Sequence, residues 1–281
     1  MGREEYVDIF KDTERLVKTN RRIADYVKSS AEKQELILEG DKLPEVNKER
    51  YAENANIVVS KKRSFEAAKA YGGTKTAVHN FASASHPGGG VVNGARAQEE
   101  CLCRCSGLYF CLNTKKMWDG FYNPHRNAHD PIHNDDIIYT PDVTVFKTDS
   151  AIPALMPETE WYDVDVITCA APNLRSNPSN RFNPGDGVKA VLVKDKELLD
   201  IHVKRLRRIL DVAVLYGCES VILGAFGCGA FENSPEMVAR AAHTVIGEYL
   251  RAFKNIEFAV YCSPKDERNF TTFQRVLKPY C

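Results

Sequence analysis

The sequence predicts an α/β fold, a sheet covered by helices on both faces. Two observations carry this. From residue 56 onward, short apolar runs alternate with helical segments, which is the α/β pattern. Those runs are apolar at consecutive positions, as interior strands covered on both sides must be. A third observation bears on function: two glycine-rich turns directly follow such runs, "HPGGGVVNG" and "GAFGCGAFEN". With 281 residues, the chain can form one large domain or a domain plus a lobe.

Residues 3–50 are polar and helical in character, with many charges in "TERLVKTNRRIADYVKSSAEKQ". They are expected to form a helical extension, residues 1–55, packed on a core spanning 56–281. The core opens with "ANIVVS", a strand, then "SFEAAKAY", a helix, then "TAVHNFA", a second strand. Residues 113–136, with Pro124 and Pro131, read as a long surface excursion, and excursions of that length are often functional. After an irregular stretch come the strand "VDVITCAAP", a helix, the strand "SVILGAF", a helix, the strand "IEFAVYC" and a last helix. In "KELLDIHVKRLRRILDVAVLYG", Leu199, Val203, Leu206, Leu210 and Ala213 recur at steps of four and three, giving one apolar stripe that Gly217 ends. Ser234 and Pro235 are suited to the N-cap and first position of the following helix.

Composition narrows the function. Lys plus Arg equals Asp plus Glu at 38 each, which argues against salt-driven wrapping of a polyanion and against general nucleic-acid binding. Recognition of one phosphorylated end in a local pocket stays open. The first residues are charged, without an apolar signal region, and Tyr6 stands where myristoylation expects a hydroxyl residue. No run reaches the length of a membrane span. Nine cysteines, an odd number, point to a reducing compartment: cytoplasm, or nucleus in a eukaryote.

Glycine allows the backbone to turn sharply and to approach a ligand without an intervening side chain. Successive peptide N–H groups can then converge on an anion. Two such turns beyond strands suit a diphosphate held from two sides, although a glycine turn can also be only a turn. Neither is a P-loop, since no Gly-Lys-Ser/Thr follows, and neither has the glycine spacing of a dinucleotide fingerprint.

Gln98, Glu99 and Glu100 stand where a helix is expected to begin. Carboxylates in a first turn commonly serve the helix dipole. Adjacent helical residues point about 100° apart, so one acid can face the glycine loop while the other faces the scaffold. Beside phosphates and apolar walls, a carboxyl is held protonated and can act as an acid, then as a base.

Gly-Gly-Gly, a seven-residue spacer and Gln-Glu-Glu together resemble the signature of the poly(ADP-ribose) glycohydrolases. "NFASASHPGGG", "TCAAPN" and "GAFGCGAFEN" resemble, in order, the short microbial type of that family. The resemblance implies a macrodomain-like three-layer α/β/α fold with a mixed sheet and an ADP-ribose cleft. It implies that Glu100 is the general acid/base, that Glu99 holds the ribose at the scissile bond, and that Gln98 positions the loop. Asn80 would touch a ribose hydroxyl. Gly88, Gly89, Gly90 and Val91 would lie beside the diphosphate and reactive ribose. Gly227, Cys228, Gly229 and Ala230 would form the second phosphate loop, with Phe231 on the ribose. The partners implied are poly(ADP-ribose) or an ADP-ribosylated protein, with ADP-ribose as product; no cofactor and no metal are required. The short microbial forms are expected to cut from chain ends. A hydrolase of mono-ADP-ribosyl groups on protein or nucleic acid is an alternative, as is a non-catalytic ADP-ribose reader. The acid pair argues against the reader. Tyr109, Phe121 and Tyr122 are candidates for stacking adenine.

Other clusters carry less. Cys101, Cys103, Cys105 and Cys111 follow one another too closely, on an expected helix, for a zinc site, and read as buried small side chains. His125, His129 and His133 stand four apart, but Pro124 and Pro131 argue against one continuous helix and favour a loop. His86 reads as loop-shaping, and Cys228 as packed rather than nucleophilic.

Overall fold

The computed structural model describes residues 2–180 and 185–281. The helices are α1 (Arg3–Thr19), α2 (Arg21–Glu32), α3 (Ser64–Lys69), α4 (Gln98–Cys105), α5 (Leu108–Leu112), α6 (Lys115–Met117), α7 (Asn123–Ala128), α8 (Asp195–Leu215), α9 (Pro235–Ile246) and α10 (Arg268–Leu277). The strands are β1 (Glu35–Ile37), β2 (Asn56–Ser60), β3 (Thr76–Ala82), β4 (Ile137–Val145), β5 (Tyr162–Ala170), β6 (Ser220–Leu223) and β7 (Asn255–Ala259). They form one mixed sheet in the order β1-β4-β5-β3-β6-β7-β2. From β5 to β2 all neighbours are parallel; β4 joins antiparallel to β5 and to β1.

Alternation along the strands builds two cores. Ala77, Ile167, Val221 and Ile256 face one layer, with α8, α9 and α10 residues such as Leu210, Ala239 and Phe273. Val78, Val166 and Ile222 face the other, with Phe10 of α1, Phe65 of α3 and Leu102 of α4. This is the three-layer arrangement expected. No helix among the described residues is long and apolar enough to cross a membrane.

Three expectations need correction. First, the irregular stretch before β5 contains the nine-residue strand β4. Pro141 and Asp142 broke its pattern, because proline cannot donate to a ladder. The pairing register shifts there, between Thr140 and Val143, and Asp142 takes a positive φ of 54°. The bulge is held from both sides: Asp142 N–H donates to Asp165, and Ser30 of α2 and Lys33, just past its end, bind the Asp142 carbonyl and carboxylate.

Second, residues 113–136 are no surface excursion. Thr114 caps α6, a wide π-type turn runs over Trp118–Tyr122, and Pro124 sits in the first turn of α7, where it is tolerated. Met117, Phe121 and Tyr122 are fully buried. The three histidines share no face: His125 and His133 are buried, while His129 is exposed at φ 51°. Third, the N-terminal segment contributes β1 to the sheet as well as its helices.

The apolar stripe of α8 holds at Leu210 and Ala213, whereas Val203 and Leu206 are only partly buried. Its deepest face also carries two polar residues, His202 and Arg205, each 2% exposed. Both act on the loops described below. Gly217 closes this helix at φ 76°, and Pro235 opens α9, although the Ser234 side chain makes no capping bond.

Candidate active site

The carboxyl ends of β5, β3, β6, β7 and β2 all lie on one edge of the sheet, where open α/β sheets bind ligands. A cleft of about 280 Å³ opens there, close to the size of ordinary ligand sites. Its walls come from the loops after β3, β5, β6 and β7 and from the first residues of α3 and α4. Gly89, Gly90, Gln98, Glu99, Glu100, Gly227, Gly229, Ala230 and Phe231 all line it. Both glycine turns and the acid pair therefore meet in one place.

The geometry distinguishes the two acids. Glu99, 3% exposed, is held on both oxygens: Asn80 Nδ2 donates to Oε1 at 3.3 Å and Ser83 N–H to Oε2 at 2.8 Å. Glu100, 7% exposed, accepts from Gly90 N–H at 2.9 Å on Oε1, and its Oε2 has no partner. Burial raises the pKa of both. Glu99 is pushed up to about 8 by burial and by the charge of Glu100, against the donors from Ser83 and Asn80. Glu100 is raised by burial, opposed by the Gly90 amide and by Arg104 one helical turn away. Of the two, Glu99 is the one that keeps its proton near neutral pH.

Gly89 explains why the first loop needs a bare backbone. Its φ is 55°, and a Cβ there would lie 2.5 Å from Glu100 Oε1. The His86 carbonyl accepts from Gly89 N–H at 3.0 Å, so His86 does shape this turn. Gln98 anchors the acid helix to β3: its Oε1 accepts from Phe81 N–H at 2.9 Å and its Nε2 donates to the His79 carbonyl at 2.8 Å.

Several expected contacts lie outside the cleft lining. Asn80 is fully buried, and its Nδ2 donates to Glu99 and to Thr168, so it holds the acid in place. Gly88 packs toward Tyr109 and Cys103, and the Val91 side chain is buried in the apolar layer beneath the loop. The Cys228 side chain also packs into the core, and burial pushes its thiol up to about 12. Phe121 and Tyr122 are core residues and Tyr109 packs with them. The aromatic walls of the cleft are Phe81, Phe231 and Tyr261.

The support of the second loop was not legible in the sequence. Asn233 Nδ2 donates to Pro172 O at 2.7 Å and lies 3.2 and 3.3 Å from Gly227 O and Phe231 O. Its Oδ1 accepts from His202 Nε2 at 2.9 Å. Burial lowers the His202 pKa to about 4, so the ring stays neutral. Arg205 binds Ala170 O, Ile132 O and His133 O, each within 2.9 Å, and Asp135. Arg63, whose guanidinium stacks 3.9 Å from the Tyr261 ring centroid, forms another wall. "AFEN" and the polar residues inside the α8 stripe were the only signals available.

Fold and site thus define a class: a three-layer α/β protein with a cleft edged by two glycine loops and a buried carboxylate pair at its wall. Residues 4–148 match the model of the microbial-type poly(ADP-ribose) glycohydrolase (PARG) catalytic domain. The chain belongs to that family. It is similar in structure to the poly(ADP-ribose) glycohydrolase of Thermomonospora curvata bound to the inhibitor ADP-HPD, at 28% identity and a TM-score of 0.80, over 97% of this chain and 99% of that one. It is also similar to the Deinococcus radiodurans enzyme in complex with ADP-ribose, at 31% identity and a TM-score of 0.75, over 91% and 98%. No curated protein sequence matches it.

Proposed function

We propose that this chain hydrolyses ribose–ribose O-glycosidic bonds of poly(ADP-ribose), from chain ends, and releases ADP-ribose. The observation that carries this reading is Glu100: a carboxyl raised in pKa, with one partnerless oxygen, on the wall of a cleft edged by two glycine loops. The family and the enzymes it resembles support the same chemistry.

In this mechanism the diphosphate lies in the cleft between the two glycine loops, and the peptide N–H groups of the second loop, at Gly229 and Ala230, face it. Glu99, fixed by Asn80 and Ser83, orients the ribose by accepting a hydroxyl on its remaining lone pairs. Glu100 protonates the oxygen leaving the anomeric carbon. The bond breaks toward an oxocarbenium-like ribose, and Glu100, now a base, takes a proton from the water that adds. Remote binding of diphosphate and adenosine orients the reacting ribose. The chain acts on poly(ADP-ribose) or ADP-ribosylated protein in a reducing compartment, the cytoplasm; its nine free cysteines support that setting.

Glu100→Gln tests the assignment. It keeps the hydrogen bond from Gly90 N–H but cannot give up a proton. ADP-ribose affinity should persist while turnover falls by roughly 10³-fold or more. Normal cleavage of labelled polymer by this variant would overturn the role of Glu100. Product analysis on polymer against a mono-modified protein separates the proposed activity from mono-ADP-ribosyl hydrolysis.

A further inference from the structure

The N-terminal helix touches the acid machinery through one buried arginine. Arg104 is fully buried on α4, four residues after Glu100 and so on the same helical face. A carbonyl, a thiol and an aromatic face hold its guanidinium. Nη1 donates to Ala95 O at 2.7 Å, Nη2 reaches Cys101 Sγ at 3.5 Å, and the Tyr6 ring of α1 lies 4.8 Å away. The Thr13 hydroxyl, also on α1, donates to the Arg104 carbonyl at 2.6 Å. Phe10 packs edge-on against Tyr109 at 5.0 Å.

The loop between the glycines and the acids is fastened in the same way. Ala95 N–H donates to Gly90 O at 3.1 Å, and Gly90 N–H donates to Glu100 at 2.9 Å. Gly94, at φ 72°, lies so close to α1 that a Cβ would strike the Arg3 carbonyl. A continuous path therefore runs from Tyr6 through Arg104, Ala95 and Gly90 to the Glu100 carboxyl.

We propose that α1, acting through Tyr6 and Arg104, is a positioning element of the active site: it clamps the loop 91–97 and thereby aims Glu100. This rests on the reading of Glu100 as the reacting acid. Cation–π contact with a desolvated guanidinium is directional enough to serve, and small misplacements of a reacting group cost large factors in rate. The second glycine loop lies outside the path, so ligand affinity should be largely spared.

The test compares Tyr6→Leu, Tyr6→Phe and Lys11→Ala, the last on an exposed stretch of α1. Tyr6→Leu should lower kcat by about tenfold, with ADP-ribose Kd changed by less than about threefold. It should also speed hydrogen exchange at the Gly94 and Ala95 amides by roughly tenfold. Tyr6→Phe, which keeps the ring, and Lys11→Ala should behave as the unaltered chain. Arg104→Lys, which keeps the charge but not the fork, should follow Tyr6→Leu. A folded Tyr6→Leu variant with full kcat overturns the proposal, as does equal loss of kcat and ADP-ribose affinity, which would mean a damaged cleft. If the unaltered chain releases no ADP-ribose from polymer, the reaction assignment fails instead. Exchange at Gly94 and Ala95 then decides the clamp alone, and unchanged exchange in Tyr6→Leu sinks it.

Discussion

Glu99→Gln should make the protein less sensitive to rising pH, and the size of the effect follows from burial. A carboxyl near 4.5 in the unfolded chain stands at about 8 in the folded one, because folding strips its water and places Glu100 beside it. The folded state then binds more protons than the unfolded state between those values. Stability must fall as pH rises through that window, and the loss is complete only above the folded value. Between pH 4.5 and 7.5 the span is about three units at about 1.4 kcal/mol each, reduced by partial titration at both ends to about 3 kcal/mol. Glutamine cannot ionise, so the variant lacks this slope. Its amide cannot accept from both Asn80 and Ser83, which costs about 1–2 kcal/mol at every pH. Urea denaturation of both proteins across pH 4.5–7.5 isolates the term: the variant should be the less stable at the acid end and overtake at the neutral end. A stability difference that stays constant across this range means Glu99 is an ordinary, solvated carboxylate, and the case for a protonated Glu99 fails with it.

Two further substitutions probe the second loop. Asn233→Ala removes the donor shared among Pro172, Gly227 and Phe231 and strands His202, so it should cost about 3 kcal/mol by denaturant titration and weaken ADP-ribose binding in calorimetry; unchanged affinity would show that the loop holds its shape without it. Gly227→Ala forces a side chain into φ 75° and within 2.6 Å of Ala171 Cβ, so a lowered Tm and lost ADP-ribose binding are expected, beginning with about 1–2 kcal/mol of backbone strain.

What the sequence disclosed and what it hid divide along a physical line. Features set by neighbours in the chain were readable: β3 as "TAVHNFA", the stop at Gly217, the acids in the first turn of α4, and glycines where the backbone must bend beside them. Features set by tertiary partners were not. Pro141 lies inside a strand because a bulge at Asp142, held by Asp165 and α2, absorbs the missing donor. His202 and Arg205 look like breaks in an apolar stripe until the loops they bind are in place. The family resemblance implied a ribose contact for Asn80, and no sequence signal showed that its amide nitrogen is turned toward Glu99. The N-terminal segment, too, owes its role to tertiary partners. Its charged surface hides a face made by Tyr6, Phe10 and Thr13, spaced three and four apart, and each of them meets the acid helix or the helix after it. That spacing predicts a packed face. Only the buried Arg104 opposite it shows that the helix packed against is the one that carries Glu100.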